Sequence, residues 1–150
     1  MKKIRDKVFI DTNIFVYAKS DVNDKHKQLS AKELLVSLSD EVIISVQVLN
    51  EFYNVLSKYN ISDEVIQTAI ISLLKYCKLK TVTLSTIKSC WNIKIKYKYH
   101  YYDCLIIASA LENNCSVLYT EDMQHGQLIE NRLKIINPFC AECEIVETNC

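Results

Sequence analysis

Residues 7–18 read KVFIDTNIFVYA. Val8, Phe9 and Ile10 make a short unbroken apolar run, the pattern of a strand buried on both faces, as in a parallel sheet. Asp11, Thr12 and Asn13 follow at once, and Ile14 to Ala18 is apolar enough to begin a helix. A carboxylate therefore stands where a buried strand hands over to a helix, and ligands of open α/β sheets bind outside the carboxyl ends of strands. Asp, Thr and Asn are also good helix N-caps. Taken alone, the junction leaves Asp11 either a cap or a functional acid, and the choice turns on acids further along.

Working outward, Asn23-Asp24 can cap a helix from about Lys25 to Leu38, with Leu29, Leu34, Leu35 and Leu38 inward. Val42 to Ile44 makes a second strand of the buried type, and Ser45 caps a helix from Val46 to about Tyr59. Ser62 starts another helix that runs to about Lys75, with Asp63 and Glu64 complementing its N-terminus. Val82 to Leu84 reads as a third strand, with Ser85 capping the next helix. Tyr102 to Asn113 is a strongly apolar and hence buried helix, Val117 to Tyr119 a fourth strand and Lys134 to Ile136 a fifth. Strands alternating with helices predict an α/β fold with a parallel sheet covered on both faces.

The composition narrows the function classes. The 150 residues are expected to form one domain (1–150, with about 140–150 as a short tail), and at 49 % hydrophobic and 24 % charged they read as globular. Eighteen basic and eighteen acidic residues cancel, so bulk attraction to nucleic acid is excluded and any such binding needs a local patch. Arg5 and Arg132 are the only arginines, which makes bidentate phosphate clamps scarce. The basic start leads into only three apolar residues before Asp11, too few for a signal-peptide core. No apolar run approaches the ~20 residues of a membrane helix. The expectation is a cytoplasmic protein without membrane contact, its seven cysteines reduced. With one glycine, Gly126, and one proline, Pro138, Gly-rich phosphate loops are absent.

Four acids share one kind of position. Asp11 follows the first strand; Asp122, with Glu121 beside it, follows the strand at 117–119; Asp103 opens the apolar helix; Glu51 lies in the helix after the second strand. On that helix Val48, Phe52, Val55 and Tyr59 form the inward stripe at ~3.6-residue spacing, and Glu51 falls on its flank. Each acid has an ordinary explanation as a cap, a helix-dipole partner or a surface ion. Together, at the first, second and fourth strand-to-helix transitions, they can face one edge of the sheet. Carboxylates gathered there repel and raise one another's pKa. A hard divalent ion such as Mg²⁺ or Mn²⁺ removes the conflict and can activate a water against a phosphodiester. That chemistry needs no serine, cysteine or histidine nucleophile.

At these residues the sequence resembles the PIN-domain family of metal-dependent ribonucleases, and within it the VapC-like toxins of toxin–antitoxin pairs. The resemblance is carried by VFIDTNIFVYA, SVQVLNEFYNVL, YYDCLIIASALENNCSVLYTEDMQHGQ and the end INPF, between Val8 and Phe139. It implies an α/β/α sandwich around a parallel sheet of five strands and cleavage of RNA with Mg²⁺ or Mn²⁺. Carried over by position, Asp11 and Asp103 would be the main metal ligands, with Glu51 and Asp122 completing the site directly or through waters. Thr12, Asn13 and Thr120 would be polar groups supporting them. Many relatives have a further acid soon after the position of Asp122; here Met123-Gln124-His125 follows, and Glu121 is the acid available to substitute. The resemblance also implies a small antitoxin partner and a homodimer. Two other readings stay open: a PIN-like module that binds RNA or protein without cutting, and a phosphatase using Asp11 as nucleophile. The phosphatase pattern wants a second Asp where Asn13 stands.

Two further stretches carry candidate chemistry. Lys94 to Tyr102 reads KIKYKYHYY and runs into Asp103. Lys94, Lys96 and Lys98 could attract phosphate while Tyr99 and Tyr101 stack on unpaired bases. Equally, the lysines form a solvated face and the tyrosines are core. A helix end and a loop are expected there, although the alternation also suits a strand. Cys140, Cys143 and Cys150 fall short of the four paired ligands of a structural zinc.

Overall fold

The computed structural model of the chain describes residues 6–20 and 24–140. The apolar run at the start is strand β1 (Lys7–Ile10), in which Val8, Phe9 and Ile10 are at most 2 % exposed. Helices α1 (Thr12–Lys19) and α2 (Lys25–Ser37) lead to β2 (Glu41–Ser45). Helices α3 (Val46–Lys58) and α4 (Asp63–Tyr76) lead to β3 (Cys77–Lys80), and α5 (Leu84–Tyr97) and α6 (Tyr101–Glu112) lead to β4 (Val117–Tyr119). Two short strands, β5 (Leu128–Ile129) and β6 (Leu133–Ile136), complete a sheet of order β3-β2-β1-β4-β6-β5.

The order places the functional edge. From β1 the chain steps outward to β2 and then β3, and crosses back over both to lay β4 on the other side of β1. Val8 accordingly faces Val42 on one side and Val117 on the other. Parallel crossovers are right-handed, so reversing direction puts α1 to α4 on one face of the sheet and α5 and α6 on the other. The packing agrees: α1 lies against α2 and α3, α3 against α4, and α5 against α6. The strand order reverses between β1 and β4, which is where such sheets leave a crevice for ligands.

Most of the expected elements are present, and the exceptions have identifiable causes. Val82 to Leu84 is not a strand. Thr83, and not Ser85, caps α5 through a reciprocal pair with Thr86, and Leu84 begins that helix. The third strand is Cys77–Lys80, an edge strand whose sequence, CKLK, carries lysines where a central strand would carry apolar residues. The sheet has six strands instead of five, because β5 pairs antiparallel with β6 across a tight turn. Glu130 and Asn131 both take positive φ in that turn, and the Arg132 amide closes it on the Ile129 carbonyl. Leu29 points outward at 53 % exposure. The inward face of α2 runs through Ala31, Leu34, Leu35 and Leu38, and a residue two positions before Ala31 lies on the far side of the helix. Asp24 caps α2 by accepting from the Lys27 amide, while Asn23 lies outside the described residues. Ser45 precedes α3 without a side-chain cap bond, and its buried hydroxyl has no partner. The stretch 94–102 is, as expected, a helix end and a loop, with Lys98 left-handed at φ 61°. Cys90 and Cys104 are buried thiols whose S–H groups donate to the carbonyls of Tyr101 and Tyr99, which ties that loop down.

Cys77, Cys90, Cys104, Cys115 and Cys140 are all free of disulfides. Cys143 and Cys150 lie outside the described residues. Among the described residues no helix is long and apolar enough to cross a membrane.

The packing makes one comparison sharp. Leu118 sits at the centre of β4 with no exposed surface, so Leu118→Ala should cost about 2–5 kcal/mol in urea or thermal unfolding. Leu29→Ala should change stability by no more than about 0.5 kcal/mol, since little of its side chain leaves water on folding.

Candidate metal centre

The strand-to-helix junction supplies one acid, Asp11, and sends its other two polar residues to two further acids. Asp11 caps α1: its Oδ1 accepts from the Thr12 amide at 2.7 Å, and its Oδ2 accepts from the Thr120 hydroxyl at 2.8 Å. The Thr12 hydroxyl donates to Glu51 Oε2 at 3.0 Å. The Asn13 amide donates to Asp122 Oδ2 at 2.8 Å. Thr120 works in two directions, since its oxygen also accepts from the Asp122 amide at 3.2 Å. One fully buried hydroxyl at the end of β4 therefore sets both Asp11 and the backbone of Asp122.

Asp103 arrives from the opposite face of the sheet, in the first turn of α6, where an acid also suits the helix dipole. Oxygens of Asp11, Asp103 and Asp122 lie within 4.8 Å of one another, the one group of three potential metal ligands among the described residues. Glu51 lines the same cleft but stands outside that group. Its two oxygens are held by Thr12 and by the Gln47 amide, the latter at 2.7 Å. The cleft encloses about 320 Å³, and its wall continues from the acids to Gln47, Asn54, Tyr59, Tyr102 and Ile106.

The electrostatics follow from the burial. Loss of water raises Asp11 from 3.8 to about 7, with smaller upward pushes from Glu51 and Asp122, against the lowering effect of its bonds to Thr120 and Thr12. Asp103 is raised by desolvation first and then by Asp122 and Glu51, while His100, 3.6 Å away, pulls it down. Asp122 is raised by partial shelter from water and by Glu121, and lowered by Asn13. Among the described residues no lysine or arginine forms an ion pair with these three carboxylates. Three hard oxygen donors that hold their protons too tightly, without a lysine or arginine partner among the described residues, suit a divalent ion such as Mg²⁺ or Mn²⁺. The Asn13 carbonyl oxygen, buried and without a partner, is a further hard acceptor beside them.

Other candidate residues go elsewhere. Glu121 turns away from the cluster to an ion pair with Lys27 at 2.8 Å and a hydrogen bond from Tyr17 at 2.6 Å. Lys96 pairs with Glu130 at 3.1 Å. The Tyr99 hydroxyl donates to the Gln127 side-chain Oε1 and accepts from the Gln124 backbone amide at 3.1 Å. Lys96 and Tyr99 thus fasten the end of α5 and the α5–α6 loop to the segment before β6, a role distinct from both the solvated face and the nucleic-acid contact that the sequence offered. Gln47 and Tyr102 are site residues that the acidic pattern did not single out. Gln47 was detectable as the partner four residues before Glu51 on one helix. Tyr102 carried no local signal beyond its place next to Asp103.

The shifts have a consequence for stability. A carboxyl whose pKa is higher in the folded than in the unfolded chain contributes stability fully below its unfolded pKa, and loses it as pH rises through the folded value. Asp11, raised to about 7, and Asp103 and Asp122, raised in the same direction, all carry that sign. In metal-free buffer the melting temperature should fall as pH rises from 5 to about 8, by about 2–4 °C per kcal/mol lost. Asp11→Asn keeps the cap and should flatten much of that slope. Thr120→Val removes a bond that lowers Asp11 and should move the loss to higher pH.

A model of the PIN domain family matches residues 8–129. No curated protein sequence matches the chain. Among solved structures it is similar to Mycobacterium tuberculosis VapC20, described as a sarcin–ricin loop cleaving toxin. The two share 19 % identity over 74 % of this chain and 86 % of that one, with a TM-score of 0.63. A toxin–antitoxin complex from Klebsiella pneumoniae aligns at 18 % identity over 88 % of this chain and 98 % of its own, with a TM-score of 0.68. VapBC2 from Rickettsia felis, bound to a DNA fragment from its promoter, aligns at 22 % identity over 87 % and 99 %, with a TM-score of 0.62. These likenesses support the fold, and the family match, running from β1 through the acidic junctions to β5, shows that the chain belongs to the PIN domain family.

Proposed function

We propose that this protein is a Mg²⁺- or Mn²⁺-dependent endoribonuclease and the toxin of a toxin–antitoxin pair. The observation that carries the reading is the convergence of Asp11, Asp103 and Asp122 within 4.8 Å at the point where the strand order reverses. These three would hold the ion, with Glu51 on the adjoining wall. When bound, the ion supplies activation of a water and neutralises charge building on the phosphodiester oxygens. The chain's own groups do the positioning. Thr120 and the Thr12 amide fix both oxygens of Asp11, Asn13 aims Asp122, and Thr12 with Gln47 holds Glu51 in the orientation that faces the cleft.

The toxin reading is supported by the toxins and toxin–antitoxin complexes that share the fold. It brings with it a small antitoxin whose basic segment enters the cleft, since an arginine or lysine placed among the carboxylates neutralises the charges the metal would. It also brings a cytoplasmic location and a homodimer. Leu84, Trp91 and Ile95 support self-association: they are exposed at 62 %, 49 % and 78 % and recur along one face of α5.

Purified protein should cut single-stranded or structured RNA when Mg²⁺ or Mn²⁺ is added and stop in excess chelator. Asp103→Asn should lower the rate by about 100-fold or more with circular dichroism unchanged, as expected when a ligand of the reacting ion is lost. Expression of the chain alone should arrest growth, and co-expression of a neighbouring small protein should restore it. Cleavage that persists in chelator would exclude the metal mechanism. A well-folded Asp103→Asn protein with full activity would exclude the site.

A further inference from the structure

A second cavity adjoins the acidic cleft. It encloses about 450 Å³ and is lined by Val46, Gln47, Asn50, Val82, Tyr102 and Leu105, with Glu51 at its margin. Gln47, Glu51 and Tyr102 line both spaces, so the two form a continuous surface with the Tyr102 side chain on the ridge between them. The wall of the second cavity is mostly apolar side chain, in contrast to the carboxylates of the adjoining cleft.

Tyr102 is placed like a platform. Its carbonyl accepts from the Gln47 amide at 3.1 Å, and the same amide is fixed by Glu51 at 2.7 Å. Its ring meets Tyr101 edge to face with centroids 5.5 Å apart. Backbone and ring are thus both supported, yet Tyr102 remains 65 % exposed. Asn50, exposed and lining the same cavity, offers an amide with a donor and an acceptor.

Charge decides what this surface suits. Lys27 is paired with Glu121 and Lys96 with Glu130, and the chain carries equal numbers of acidic and basic residues. The lining of this cavity carries no lysine or arginine, so phosphate contacts are a poor source of affinity within it. An unpaired base has an uncharged π-face that stacks on tyrosine and an edge that an amide can read.

The geometry points to this cavity as a nucleobase subsite, in which the base neighbouring the scissile phosphate of single-stranded RNA leaves its stack, lies against the Tyr102 ring and presents its edge to Asn50. This assignment rests on the ribonuclease reading above and specifies how the substrate is held. Tyr102 makes the stacking contact and Asn50 contributes base preference.

The test uses the Asp103→Asn protein, which is expected to bind without cutting, and short single-stranded oligoribonucleotides of each base, one set carrying a single abasic position and another a single 2-aminopurine. Replacing Tyr102 by Ala in that background should weaken binding by on the order of tenfold, and Tyr102→Phe should recover most of the loss because the ring is kept. Bound 2-aminopurine should be quenched with Tyr or Phe at this position and not with Ala. One abasic position in the oligonucleotide should reproduce the Ala defect, and Asn50→Ala should compress the difference in affinity between bases. If Tyr102→Ala binds the intact oligonucleotide as tightly as the parent does, and the parent binds the abasic oligonucleotide as tightly as the intact one, the subsite is overturned and the ribonuclease reading stands. Loss of a protein partner by Tyr102→Ala with oligonucleotide binding unchanged assigns the cavity to that partner and overturns the base assignment. Failure of the wild-type chain to bind or cut any of the RNAs overturns both readings.

Discussion

Asp11 is a carboxylate with 4 % of its surface exposed at the centre of a parallel sheet, and the rest of the site is arranged around the cost of keeping it there. A buried charge has to be bonded, paired or neutralised. The chain bonds it: the first amide of α1 holds one oxygen and the first residue after β4 holds the other. Those bonds lower the carboxyl without cancelling the burial, which leaves it near neutrality and short of a cation. The same two elements then carry Asn13 and Asp122 to each other, so one strand-to-helix turn holds Asp11, Glu51 and Asp122.

This arrangement explains which features could be read from the sequence. Val8 to Ile10, Val42 to Ile44 and Val117 to Tyr119 are apolar because they occupy the middle of the sheet. The acids at their ends stand out because charged residues seldom border such runs without a partner or a task. Asp11, Asp103 and Asp122 could be recognised together since each sits at a fixed offset from an unmistakable element. Elements at the periphery lacked that contrast. The edge strand Cys77–Lys80 alternates lysine with half-exposed residues, and the apolar Val82–Leu84 nearby looked more like a strand than the true one. Strand β5 has two residues, too few for any period to register.

The positions of Glu121, Lys96 and Tyr99 were beyond sequence because each is decided by what another segment brings alongside. Glu121 stands next to Asp122 in the chain, but Lys27 on α2 claims it. Lys96 and Tyr99 belong to a stretch whose composition suits nucleic acid, while Glu130, Gln124 and Gln127 give them ordinary partners. Tyr102 is the converse case. In the sequence it was one tyrosine among several, and only the fold separates it as the one standing beside both cavities.

The placement of β1 between β2 and β4 also bears on when the site can exist. The bond from Thr120 to Asp11 closes a loop of 109 residues, and β6 must then seal the far side of β4. Contacts so distant in sequence are slow to form, and domains emerge from the ribosome N-terminus first. A nascent chain holds Asp11 and Glu51 long before Asp103 and Asp122 have been synthesised. The acidic centre is thus among the last features completed as the chain is synthesised, and a partly made polypeptide carries its first two acids without the partners that gather around them.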